Sequence, residues 1–431
     1  MYSENIDWFM TTFNQSGITI FAETNFRNQR QRFGIKHTDR RYHIFILGKT
    51  GMGKTTLMEN MIVSDIDGGH GVAVIDPHGD LAVRLLDRVP SRRINDAIYF
   101  SPADVDFPIA FNVLDRIEKD LQPLAVSGVI SVFKKLYAEY WAPRQEHVLR
   151  NTLLTVMQFP GSNLHTVHQM LTDADFRVQI TKKLEDKTLR AFWEKEFAGF
   201  DKRQRTEVVA PILNKLGQFL ADPLIRNMVG QRKNRIPFRE VIDKGRILIA
   251  NLSKGKIGED NSVLLGSVLL SKLQLAALSR ADIDAEKRVD FYLYVDECQN
   301  FITEGVASML AEMRKYRLNM ILASQHLGQL DEGIRQAIFG NAGTLITFRL
   351  GAPDADVLQE EFFPRFKKQD FLNLPKYHMY LRLMIDGVTS EGFNAKGLPP
   401  RSMARGVARK IMSASRQRYA TARHLVEIRE L

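Results

Sequence analysis

The residues Gly48-Lys49-Thr50-Gly51-Met52-Gly53-Lys54-Thr55 satisfy the spacing G-x-x-x-x-G-K-[ST] in full, and Thr56 follows directly. Glycines at such positions let backbone N–H groups converge on phosphate oxygens without a Cβ in the way. A helix starting just beyond the loop adds the positive end of its dipole. The chemistry this suits is capture of a triphosphate. Lys54 neutralises β- and γ-phosphate charge, and Thr55 offers its hydroxyl to Mg²⁺. The expected nucleotide contacts are therefore Gly48, Lys49, Thr50, Gly51, Met52, Gly53, Lys54, Thr55 and Thr56, with ATP and Mg²⁺ as the expected cofactors.

A second constellation lies far along the chain. The apolar run Phe291-Tyr-Leu-Tyr-Val295 ends in two carboxylates, Asp296 and Glu297. Successive side chains on a strand point to opposite faces, so the two acids are expected to project differently. Asp296 is assigned to the Mg²⁺ and its water shell, and Glu297 to general-base activation of the attacking water. The run Ile321-Leu-Ala-Ser324 ends at Gln325, which is expected to sense the γ-phosphate or position water, because ligands gather at the carboxyl ends of parallel strands. Asp76 also ends an apolar run, but Asp-Pro-His-Gly-Asp80 is turn chemistry, and the turn is the preferred reading. His78 is read as structural, since no Cys/His spacing suits a metal. Arg314, in Met313-Arg-Lys315, and Arg349, after the run Thr344 to Phe348, are candidates for stabilising charge in the transition state.

These groups must be positioned by a parallel sheet. Short apolar runs at His43 to Leu47, Gly71 to Asp76, Ala97 to Phe100, Arg246 to Ala250, Phe291 to Val295, Met320 to Ala323 and Thr344 to Phe348 read as buried strands. Helical periodicity falls between them, at Leu57 to Ile66, Asn261 to Ser279, Gly305 to Tyr316 and Asp331 to Phe339. Ile18 to Phe21 reads as a further short strand, and Met379 to Ile385 as a late edge strand turning at Asp386-Gly387. From about Asp115 to Arg239 strand-like runs give way to successive amphipathic helices. The fold class is α/β: a P-loop NTPase domain with a mainly parallel sheet and an inserted all-α domain. The expected division is 1–42, an N-terminal strand and basic arm; 43–114, the first part of the nucleotide-binding domain; 115–240, the helical insertion; 241–398, the second part; and 399–431, a tail with a loose terminal helix.

The chain of 431 residues carries a formal net charge of +10, which favours a polyanionic partner. The run containing Arg27, Arg30, Arg32, Lys36, Arg40 and Arg41 reads either as a DNA contact at a channel mouth or as a solvated arm, the arm being preferred. The lone cysteine, Cys298, rules out an intrachain disulfide. Met1 to Met10 does not read as a secretory signal. No stretch of about 18 apolar residues is found, so no direct membrane span is expected.

The motif set GKTGMGKTT, Ile75 to Asp80, Tyr294-Val-Asp-Glu-Cys-Gln-Asn300, Met313-Arg-Lys315 and Ala323-Ser-Gln325 resembles that of the conjugative coupling ATPases of type IV secretion, the TraG/TraD-like group of the HerA–FtsK translocases. The resemblance spans about Phe33 to Gly392, with the helical insertion matched in type and place. It implies a homo-oligomeric ring, a hexamer, that moves DNA (single-stranded or nucleoprotein) by hydrolysing ATP at subunit interfaces. It implies Arg314 acting in a neighbour's site and Arg349 in its own. Relaxosome and membrane secretion-channel proteins are the implied further partners, with substrate meeting the helical domain. The chain departs from many coupling proteins in lacking N-terminal membrane helices. A cytoplasmic location with recruitment by a partner is then expected, and a soluble HerA-like DNA-processing translocase or a protein-secretion ATPase is the alternative.

Overall fold

A computed structural model describes residues 17–25, 30–115, 117–137, 141–401 and 404–430. They divide into two compact units, one drawn from Met1–Phe100, Phe238–Asn251 and Ala276–Ala414, the other from Ser101–Pro237, Leu252–Leu275 and Ser415–Leu431. The helical unit thus takes in residues beyond 115–240.

The first unit is built on a sheet. Its strands are β1 (Ile18–Thr24), β2 (Arg32–Lys36), β3 (Ile44–Leu47), β4 (Gly71–Asp76), β5 (Ala97–Phe100), β6 (Ile247–Asn251), β7 (Phe291–Val295), β8 (Leu318–Ser324), β9 (Thr344–Thr347), β10 (His378–Arg382) and, beyond the short pair β11 (Met384–Ile385) and β12 (Val388–Thr389), β13 (Phe393–Gly397). The order is β2-β1-β13-β10-β9-β3-β8-β7-β4-β6-β5. From β9 to β5 every pairing is parallel. These strands are buried on both faces, which is why they read as unbroken apolar runs such as Ile44-Phe-Ile-Leu47 and Phe291-Tyr-Leu-Tyr-Val295.

The other four strands pair antiparallel and extend the sheet beyond β9. Here the structure corrects the sequence reading. The expected edge strand near Met379 is internal, because β10 lies between β9 and β13. The hairpin at Asp386-Gly387 does form, as β11 against β12. Part of the expected basic arm is β2, paired with β1. Arg40 is not solvated at all: it is fully buried, and its guanidinium grips Asp65 at 2.6 and 2.9 Å. Arg41 pairs with Asp290 at 2.8 Å and Lys36 with Asp386 at 2.5 Å. Arg30 and Arg32 are exposed, and Arg27 lies outside the described residues. The helix expected over Gly305 to Tyr316 is broken into Glu304–Ala307 and Leu310–Met313. The tail forms two helices, Ala408–Tyr419 and Arg423–Glu430.

The second unit is helical, with Gln122–Tyr137, Pro143–Met157, Leu164–Thr172, Ala174–Lys182, Lys202–Ala221 and Pro223–Val229 as its main elements. Short polar side chains start many of them: Asn163, Asp173, Asp201 and Asp222 each accept backbone N–H groups of the first turn. Val148, Leu149, Leu153, Val156, Leu216 and Phe219 are buried in its core.

One apolar stretch goes unremarked in the sequence reading. The helix Glu259–Asp282 is long and apolar enough to cross a membrane by length and composition, with a mean hydropathy of 1.5. In the fold 89% of that window is buried, as in a core helix of a globular protein.

Candidate active site

β3 ends in the glycine loop, and the helix Lys54–Asp67 begins as soon as the loop closes. The loop has no room for side chains on its inner face. A Cβ at Gly48 would lie 2.6 Å from Phe348 Cβ, and one at Gly53 would lie 3.0 Å from Tyr377 Cδ1 and 3.1 Å from Phe348 Cε1. Gly51 stands at φ +76°, a backbone state that side chains disfavour. The Gly48→Ala variant must therefore displace Phe348 or the loop, at a cost of about 1–3 kcal/mol. Affinity for a fluorescent ATP analogue is expected to fall at least about tenfold, with the melting temperature measured alongside.

Lys54 is buried at 5% exposure, and its ammonium donates to the carbonyl of Gly48 and, at 3.4 Å, to that of Lys49. Burial lowers its pKa, while Glu297 and Asp296 hold it up. The cation is thus parked on the loop's own carbonyls, next to the carboxylates. Thr55 and Thr56 occupy the first helical turn, both half-buried.

The strand order explains what meets the loop. β8 lies between β3 and β7, in register Leu47↔Ser324 on one side and Val295↔Leu322 on the other. Its terminal Gln325 therefore falls between the glycine loop and the acids after β7. The amide joins them: Thr50 Oγ1 donates to Gln325 Oε1 at 2.7 Å, and Gln325 Nε2 donates to Glu297 Oε1 at 2.5 Å.

Asp296 and Glu297 do part company, but through the backbone rather than strand alternation. Glu297 has φ 47° and ψ 53°, the left-handed region, rare for a residue with a Cβ. Its N–H turns back to Asp296 Oδ1 at 3.0 Å. Asp296 is buried, and its pKa is raised to about 6 by burial first, then by Glu297 and Asp76. Asp76 keeps both oxygens for its own turn: Oδ1 accepts from His78 N and Oδ2 from Ala82 N, each at 2.9 Å. The turn reading of that residue matches this geometry.

The charges of Asp296 and Glu297 act on Lys54 without an ion pair to it. Among the described residues, no group of three or more His, Cys, Asp or Glu could enclose a metal ion. Mg²⁺ in nucleotide sites is held by one or two protein ligands and otherwise by water and substrate phosphates. Thr55 and Asp296 are the residues the sequence offers for it.

The two arginines differ. Arg349 lies beside the loop: its carbonyl accepts from Lys49 N at 2.9 Å and its guanidinium reaches Met52 Sδ at 2.9 Å. Arg314 is exposed, with its guanidinium stacked 3.5 Å above the Tyr42 ring. The structure brings together Lys54, Thr50, Gln325, Glu297, Asp296 and Arg349, and leaves Arg314 outside that set.

Sequence reasoning missed Gln299. Its Nε2 donates to Glu297 Oε2 at 2.8 Å and to Gln329 Oε1 at 3.0 Å. The residue stands inside the run Asp-Glu-Cys-Gln-Asn300, but a glutamine two places past an acid carries no signal unless the turn is known.

Comparison with known proteins places this geometry in a family. Residues 37–273 match the family model described as helicase HerA, central domain, and residues 290–360 match that of the TraM recognition site of TraD and TraG. The type 4 coupling protein DotL of Legionella pneumophila (strain Philadelphia 1) is 21% identical, over 78% of this chain and 50% of its own. The chain thus spans about half the length of that relative. Among solved structures, the conjugative coupling protein TrwBdeltaN70 in its unbound monoclinic form shares the fold at a TM-score of 0.65 and 16% identity, covering 92% of this chain and 93% of that one. TrwB in complex with ADP and Mg²⁺ matches at 0.66 and 16%, with 92% and 94% covered. VirB4 of Thermoanaerobacter pseudethanolicus matches at 0.58 and 13%, with 91% and 98% covered. Residues 37–273 are more than half of the chain, so the chain belongs to the HerA helicase central-domain family of P-loop ATPases.

Proposed function

We propose that this chain is a coupling ATPase of a type IV secretion system, hydrolysing ATP at the subunit interfaces of a ring, a hexamer, to move DNA or nucleoprotein. The observation that carries the reading is the bridge Thr50–Gln325–Glu297, which ties the phosphate loop to the base through one amide. A site wired in this way registers the state of the triphosphate at the group that activates water.

In this reading the loop N–H groups and Lys54 hold the triphosphate, and Thr55 and Asp296 hold Mg²⁺, which neutralises phosphate charge when bound. Glu297 takes a proton from the attacking water. Gln325 orients that water or the γ-phosphate. Arg349 serves its own chain's nucleotide, while Arg314, exposed and unattached to its own loop, serves a neighbour's. The excess of basic residues suits a nucleic-acid substrate. Relaxosome and secretion-channel proteins are the further partners, and a membrane-held partner recruits the chain from the cytoplasmic side.

The test is phosphate release with and without single- and double-stranded DNA, together with the mass of the assembly. Stimulation by DNA and an ATP-dependent assembly at six times 49.3 kDa are expected. A rate indifferent to both DNA forms at low salt would overturn DNA as substrate and leave a protein-secretion ATPase. A monomer under ATP would overturn the ring.

A further inference from the structure

We propose that Gln299 is a positioning residue for the general base, holding the Glu297 carboxylate from the side opposite the nucleotide loop. The proposal rests on the assignment of Glu297 as base and adds a residue to which no role in it has been given.

Each Glu297 carboxylate oxygen receives one amide N–H: Oε1 from Gln325 at 2.5 Å, Oε2 from Gln299 at 2.8 Å. A carboxylate oxygen has two lone-pair sites, so each oxygen keeps one for a water proton. Two donors on two oxygens also fix the plane of the group, which a single donor leaves free to swing. The acid needs this because it sits on a left-handed backbone at a strand end, with no strand neighbour beside it.

The two amides are not equivalent. Gln325 is tied to Thr50, hence to the loop that a nucleotide occupies. Gln299 is tied instead to Gln329, in the turn Leu327–Gln329. That turn is seated in the fold: Leu327 is 1% exposed, and its N–H donates to the buried Asp354 at 3.1 Å. Gln299 is therefore the fixed reference for the carboxylate, and Gln325 the contact that changes with the loop. The backbone around the base is also held, by Asn300 Nδ2 on the Glu297 carbonyl at 3.0 Å.

The experiment compares Gln299→Leu, Gln299→His and Gln329→Leu with the parent chain for kcat, KM, ATP-analogue Kd and melting temperature. Gln299→Leu keeps the size of the side chain and removes the donor. A fall in kcat of about 10- to 100-fold is expected, the scale of an ångström-level misplacement of a reacting group, with Kd unchanged. Gln299→His restores an N–H and is expected to recover at least a third of the parent rate. Gln329→Leu removes only the anchor, and a smaller fall of about threefold to tenfold is expected. A lower melting temperature with kcat within twofold of the parent would make Gln299 a turn brace only. A rise in basal rate would make it a brake, and either result overturns the proposal. If Gln299→Leu fails to fold, an unchanged kcat in Gln329→Leu overturns it as well. Failure of the underlying reading looks different: there Glu297→Gln itself keeps turning over ATP, whatever Gln299 does.

Discussion

Steady-state phosphate release from the Glu297→Gln variant is expected to fall about a thousandfold, within the range for loss of a general base, while ATP still binds. The neutral amide has nearly the size of the carboxylate and can occupy the same left-handed position, so the loop, Lys54 and Asp296 are left in place. It cannot accept a proton from water. A filter-binding or fluorescence titration should then give an ATP Kd close to that of the parent, and nucleotide should co-purify as triphosphate. Two outcomes refute the assignment. Turnover within tenfold of the parent removes Glu297 as base. A parallel loss of binding makes its role structural. The variant also separates hydrolysis from assembly, since a ring that forms only with ATP should persist in it.

The Arg40→Met variant is expected to lose about 3–5 kcal/mol of stability, the cost of leaving one member of a buried pair uncompensated. Asp65 is 1% exposed and lies on the helix that starts at Lys54. Its carboxylate takes two bonds from Arg40 and one from the Tyr294 hydroxyl at 2.5 Å. Arg40 also donates to Thr19 on β1 at 2.8 Å and to the Tyr294 hydroxyl at 2.6 Å, and its guanidinium stacks 3.7 Å above the Tyr292 ring. One cation thus joins the nucleotide helix, the strand that carries the acids, and the outer strands. Thermal unfolding of the nucleotide-binding unit should move down by about 10 °C or more. Arg40→Met with Asp65→Leu removes both charges, and most of the loss should be recovered. If the single change costs under 1 kcal/mol, the pair is not the brace described.

The same residue shows why part of this molecule was legible in its sequence and part was not. The parallel strands were readable because burial on both faces leaves no polar position, and Phe291 to Val295 shows this with five buried residues in a row. The glycine loop was readable because few other roles need that spacing. Arg40 was not, since a charge near the end of a basic run reads as solvated until its carboxylate is known, and Asp65 lies a strand and a helix away. β2 was hidden for a related reason. Arg32-Phe-Gly-Ile-Lys36 carries its charges at the sheet edge, where they discourage further pairing and blur the strand pattern. The break at Met309 in the expected helix before Arg314 leaves no clear mark either, because both halves keep buried apolar residues. At the site, Gln325 could be placed by topology, whereas Gln299 depends on a turn that only the fold defines.

The placement of β1 has a consequence for how the protein is made. Besides β2, its sheet neighbour is β13, with Ala22 opposite Gly397. The β1–β2 hairpin must therefore wait until Phe393–Gly397 has been synthesised before its other edge is covered. Contacts so distant in sequence form slowly, and an uncovered edge in the meantime is a template for pairing with other chains. Translation that stops before Phe393 would release a nascent chain with its phosphate loop already synthesised and one side of its sheet open. Such fragments are substrates for chaperones rather than subunits for assembly.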